Sequence, residues 1–117
     1  MPGIVSHVEF SHEMPGYSSF INKLARFFRV ITFDKRGNGM SGKIDKAATL
    51  EERMDALRLI MESVGSQKAI IFGFSEGGSL SALFSAMHPD RVDRLIIFGG
   101  FSHVPDLDFS TKMPAFF

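Results

Sequence analysis

No cysteine occurs in the chain, which excludes disulfides, zinc–thiolate sites and a thiol nucleophile. A cysteine-free chain suits a reducing compartment, and a cytoplasmic location is the expectation. Net charge is also lacking: 13 Lys+Arg balance 13 Asp+Glu, leaving no field to recruit nucleic acid or an anionic membrane. No apolar run approaches the roughly 18 residues of a membrane span. The start, Met-Pro-Gly-Ile-Val-Ser-His, has no basic segment leading into an apolar one, so it does not read as a signal peptide. Repeats, low-complexity tracts and linkers are missing too. Tryptophan is absent, whereas phenylalanine occurs 13 times, so the core should be rich in Phe.

What remains is ordinary globular material. With 117 residues the chain fits one small domain, and 44% hydrophobic against 22% charged residues argues against disorder. Phe116 and Phe117 at the very end read as a cut rather than a finished surface.

Helical and strand patterns alternate along the chain, which predicts a parallel sheet flanked by helices. Residues 4–10 are a short mixed stretch, strand or loop, and 12–16 a turn holding Pro15. Phe20, Ile21, Leu24, Phe27 and Phe28 recur at helical spacing within 17–28. Arg29–Phe33 is a short β-branched run that predicts a strand ending at Asp34. Gly37, Gly39 and Gly42 then mark a loop of special backbone geometry. Thr49 and Glu52 form a capping box, opening a helix with Met54, Leu57, Ile60, Met61 and Val64 on one face. Gly65 is its natural stop. Lys68–Phe74 and Arg94–Phe98 are near-continuous apolar runs, as in strands buried on both faces. Between them Leu80, Leu83, Phe84 and Met87 mark a helix closed by His88-Pro89.

The chemical signal is Gly73-Phe74-Ser75-Glu76-Gly77, a G-x-S-x-G that directly follows a buried strand and directly opens a helix. A nucleophile elbow needs this context. The turn is so tight that the serine takes strained dihedrals, and the flanking glycines remove side chains that would collide. Ser75 is the candidate nucleophile. The backbone N–H of Glu76, at the helix start, can point at a developing oxyanion with the helix dipole behind it. The bland reading is a glycine-rich strand-to-helix turn with an incidental serine, since the five-residue pattern recurs by chance.

A second motif weighs against chance. Phe33-Asp34-Lys35-Arg36-Gly37-Asn38-Gly39-Met40-Ser41 fits D-x-R-G-x-G-x-S. Together with Pro2-Gly3, Thr49–Met54, the elbow and His88-Pro89-Asp90-Arg91-Val92, it resembles the α/β-hydrolase superfamily over nearly the whole chain. It also looks like hydrolase-like domains found next to bacterial adenylate or guanylate cyclase domains. The resemblance implies a three-layer α/β/α fold with a parallel sheet, here a partial fold lacking its first strands and its C-terminal strands. The single domain, 1–117, would run from the oxyanion loop through the strand after the nucleophile helix. Asp34 and Arg36 would fix loop geometry beside the site. The second oxyanion donor would be the N–H of Ile4, after Pro2-Gly3, where many relatives carry His-Gly. A serine at 75 argues against the haloalkane and epoxide branches, whose nucleophile is a carboxylate.

The resemblance also implies what is missing. A triad acid and histidine belong after the nucleophile on later loops. Of the four histidines, His7 and His12 precede the elbow and His88 sits at a helix end. His103, with Asp106 and Asp108, lies on the loop after the last strand, where none is assigned a role. A central strand should separate Val30–Phe33 from Lys68–Phe74, and Met1 leaves no room for it. Ile4–Phe10 could shift into the gap, another chain could supply a strand, or the chain is a fragment of a longer protein. The implied function is an acyl-transfer serine hydrolase acting on ester- or amide-like substrates, inactive or weakly active in this chain. The alternative is a non-catalytic ligand-binding or sensory module of a cyclase-linked protein. No cofactor or metal is expected. The partner would be a small-molecule substrate or ligand, not nucleic acid or membrane, with self-association through unpaired strand edges as a further possibility.

Overall fold

The computed structural model describes residues 1–3, 6–43, 46 and 48–101. The elements in order are α1 (Val8–Glu13), α2 (Pro15–Ala25), α3 (Leu50–Ser63), β1 (Ala69–Phe74), α4 (Glu76–Met87), a 3₁₀ turn at Pro89–Arg91, and β2 (Val92–Phe98). β1 and β2 pair in parallel, from Ala69 opposite Val92 to Phe74 opposite Phe98. A parallel pair needs a crossover, and α4 supplies it.

The alternation of β1 sorts its side chains between two layers. Ile71 and Gly73 face α4, where Ile71, Leu80 and Phe84 join Met54, Leu57 and Met61 of α3 in one buried cluster. Phe84 is wholly buried at its centre. Phe72 belongs to the opposite face, and its ring lies 5.9 Å from that of Phe20 in α2. The result is a three-layer α/β/α arrangement around a small parallel sheet.

The helix boundaries follow from local chemistry. Thr49 Oγ1 accepts from the N–H of Glu52, and Glu52 Oε2 accepts from the N–H of Thr49 at 2.8 Å, completing the expected capping box. Gly65 takes φ 68 just beyond α3, a conformation open to glycine at little cost. Pro15 opens α2, because its missing N–H is not needed at a first helical position.

Three expectations need correction. Residues 8–13 form helix α1 rather than strand or loop: His7 caps it by accepting from the N–H of Phe10, and Asp34 receives the N–H of Val8. This segment therefore does not fill the gap beside β1. Arg29–Phe33 forms no strand. Among the described residues its β-branched run has no neighbouring ladder, and backbone groups without a ladder partner do not settle into a strand. Instead the Met1 end of the chain lies along that edge of β1, its amino group donating to the Phe72 carbonyl at 2.6 Å while the Phe74 N–H donates to the Met1 carbonyl at 3.2 Å. Finally, β2 is exposed rather than buried: Leu95, Ile96, Ile97 and Phe98 all remain accessible, because no described element covers its outer edge and far face.

Candidate functional site

The backbone reverses sharply between β1 and α4, and Ser75 is the residue at the bend. Its φ of 54 and ψ of −126 make it the one non-glycine among the described residues with positive φ. Such a conformation costs an L-residue on the order of 1–3 kcal/mol and persists only where its surroundings impose it. Two hydrogen bonds impose it here. The Ser75 N–H donates to the Phe98 carbonyl at 2.9 Å, and the Ser75 carbonyl accepts from the Gly78 N–H at 2.9 Å. Close packing does the rest. A Cβ on Gly73 would lie 2.6 Å from both the Gly77 carbonyl oxygen and the Gly78 Cα, so only glycine lets β1 and α4 approach.

Ser75 is half-buried, and its side chain does not cap α4. Glu76, the first residue of α4, has a backbone N–H with no intrahelical acceptor, at the positive end of the helix dipole. Gly3 lies against the elbow: a Cβ there would meet the Ser75 Cβ at 3.3 Å. Ile4 lies outside the described residues, as do His103, Asp106 and Asp108.

None of the described histidines is hydrogen-bonded to Ser75. His7 caps α1, and His12 Nε2 lies 3.5 Å from Thr32 Oγ1. His88 stands at the far end of α4, about 18 Å along the helix from the elbow, with its ring 4.8 Å from that of Phe84.

The Asp34 loop is built as a hydrogen-bonded hub. Its carboxylate accepts the N–H groups of Val8 and Met40, and its carbonyl accepts from Ser41 Oγ at 2.7 Å. Burial alone would push the Asp34 carboxyl up, but the backbone donors outweigh it and hold it below the usual carboxylate range. Gly39, at φ 48, leaves the space that the Asp34 carboxylate fills. Arg36, expected to share this role, makes no hydrogen bond to a described residue.

Sequence reasoning missed an ion-pair cluster beside the elbow. Lys35 Nζ donates to Glu76 Oε2 and Arg53 donates to Glu76 Oε1, both at 2.5 Å. All three side chains are mostly buried. Burial by itself raises the Glu76 carboxyl, but the two cations overcome it and hold it below its ordinary value. The three residues come from the Asp34 loop, α3 and α4, and no local spacing pattern links them. A cleft of about 600 Å³ adjoins the cluster, with Phe33, Lys35, Arg36, Arg53 and Glu76 in its wall. Among the described residues no group of three His, Asp or Glu is placed to hold a metal ion, and no helix is long and apolar enough to cross a membrane.

The chain is similar to proteins of several hydrolytic activities. A Caulobacter sp. (strain K31) protein, provisionally named carbamate hydrolase RutD, is 32% identical over 80 residues, covering 68% of this chain and 30% of that protein. Epoxide hydrolase B of Mycobacterium tuberculosis (strain ATCC 25618 / H37Rv) is 32% identical over 66 residues, 55% of this chain and 18% of its own. Proline iminopeptidase of Arabidopsis thaliana is 32% identical over 80 residues, 64% and 20% respectively. The chain thus spans less than a third of the length of these relatives. Residues 2–116 match the alpha/beta hydrolase fold family, and with the parallel β1–α4–β2 unit and the sharp bend at Ser75 in place, the chain belongs to that family.

Proposed function

We propose that the chain carries the nucleophile half of a serine hydrolase acting on ester- or amide-like acyl substrates, with Ser75 as nucleophile. The observation that carries this reading is the strained backbone of Ser75 between a strand end and a helix start. Strain of this kind, held by surrounding hydrogen bonds, collects at functional positions.

In the reaction, Ser75 Oγ forms a bond to the substrate carbonyl carbon while a base takes the hydroxyl proton. The carbonyl electron pair moves onto oxygen, and the Glu76 N–H receives that charge, with the Ile4 N–H as second donor. Collapse expels an alcohol or amine, which takes the proton from the protonated base, and leaves an acyl group on Ser75; water then releases it as the acid. A single oxyanion donor is worth roughly 10²–10³ in rate.

Among the described residues no histidine reaches Ser75, so turnover by this chain is expected to be weak or nil. Likeness to an epoxide hydrolase supports the fold, while the hydroxyl at position 75 favours acyl chemistry over a carboxylate-nucleophile route. Likeness to a proline iminopeptidase and a carbamate hydrolase supports amide- and carbamate-like acyl groups as the first substrates to try. A cytoplasmic location completes the reading.

The test is labelling by a fluorophosphonate, with imidazole added as an external base. Labelling should map to Ser75, rise with imidazole and vanish in Ser75→Ala. Robust labelling that survives Ser75→Ala overturns the assignment.

Among the described residues the Ser75 hydroxyl has no hydrogen-bond partner, which also favours a second reading, a non-catalytic ligand-binding or sensory module of a cyclase-linked protein. Ligand binding that is unchanged in Ser75→Ala, without product formation, would select it.

A further inference from the structure

Glu76 presents a physical conflict. Its N–H sits where an anion would be held, yet its side chain carries a negative charge within a few ångströms of that N–H, since both belong to one residue. An unpaired carboxylate there would oppose any anionic transition state. The structure answers with two cations on one carboxylate: Lys35 on Oε2 and Arg53 on Oε1, each at 2.5 Å. Both carboxylate oxygens are thereby turned toward the Asp34 loop and α3. The local sum changes from one negative charge to one net positive charge.

We propose that Lys35 and Arg53 are positioning residues that compensate Glu76, so that the N–H of the same residue faces an anion at favourable potential. This rests on the reading of Ser75 as nucleophile and deepens it. The cluster also joins the Asp34 loop, α3 and the start of α4 into one body, so the backbone entering α4 is fixed from two sides. Lys35 and Arg53 act through Glu76, whose carboxylate each of them holds.

Amide exchange tests the claim without turnover. Hydroxide-catalysed exchange passes through an anion at the amide nitrogen, so its rate reads the potential at that N–H. Lys35→Met and Arg53→Met should each slow exchange at the Glu76 amide by about three- to tenfold. Glu76→Gln should accelerate it, and the double variant Lys35→Met/Glu76→Gln should return it close to the parent rate. Lys35→Arg should leave it unchanged. Loosening of the fold would instead accelerate exchange, so a purely structural role moves the rate the other way. If the Met variants do not fold, Lys35→Gln and Arg53→Gln make the same comparison. Acceleration, no change, or a slowing that Glu76→Gln fails to reverse overturns the proposal. Loss of phosphonate labelling at Ser75 in the parent would sink the nucleophile assignment alone and leave this measurement standing.

Discussion

The backbone N–H of Ser75 donates to the carbonyl of Phe98 at 2.9 Å, so the bend that raises the serine is hung from the end of the neighbouring strand. The rings of Phe74 and Phe98 stack beside it, 5.8 Å apart and nearly parallel. The elbow is therefore a property of β1, β2 and α4 together, not of five residues alone.

Its strain should be measurable. Glycine at 75 removes the positive-φ penalty, so Ser75→Gly should melt higher than Ser75→Ala by about 1 kcal/mol of stability. Chemical denaturation of the two variants side by side checks this; equal stabilities would mean the bend carries no strain.

The close approach of β1 and α4 should tolerate no side chain at Gly73. A Cβ there meets backbone atoms at 2.6 Å, and backbone cannot rotate away. Gly73→Ala should cost about 2–3 kcal/mol or abolish the fold, read by urea titration. By contrast, Gly16→Ala meets nothing within 4 Å and should be stable.

The core should fail at Phe84, which is fully buried at the junction of α3, α4 and β1. Phe84→Ala should cost about 3–5 kcal/mol, a large share of the roughly 5–15 kcal/mol available to a small domain. Thermal unfolding by circular dichroism should show a loss of cooperativity.

Much of this was legible in the sequence, and the rest was not for physical reasons. The capping box at Thr49, the glycine stop at 65 and the strand–elbow–helix unit rest on contacts between near neighbours, so local pattern found them. Helix α1 was missed because its stabilising partner, Asp34, is 26 residues away from Val8. Arg29–Phe33 has the composition of a strand, but strand formation depends on a neighbour, and composition cannot report one. The exposure of β2 has the same origin, since apolar content alone does not say which face is covered. The Lys35–Glu76–Arg53 cluster spans up to 41 residues and leaves no periodic trace.

Stability should rise with pH between about 6 and 8. Burial lowers the Met1 amino group from 8.0 to about 6 in the folded chain. In that window the unfolded chain binds more protons than the folded one, so raising pH favours folding, by up to roughly 2–3 kcal/mol. Below pH 6 both states are protonated and the gain is gone. Urea midpoints across pH 5.5–8.5, repeated on N-terminally acetylated protein, check the sign: acetylation should flatten the profile.

Whether the hydroxyl at the bend is a nucleophile can be read directly from the protein's mass. Incubated with p-nitrophenyl acetate and imidazole, the parent should gain an acetyl group that peptide mapping places on Ser75, and Ser75→Ala should gain none there. Acetylation confined to lysines and the amino terminus, equal in both proteins, would contradict it.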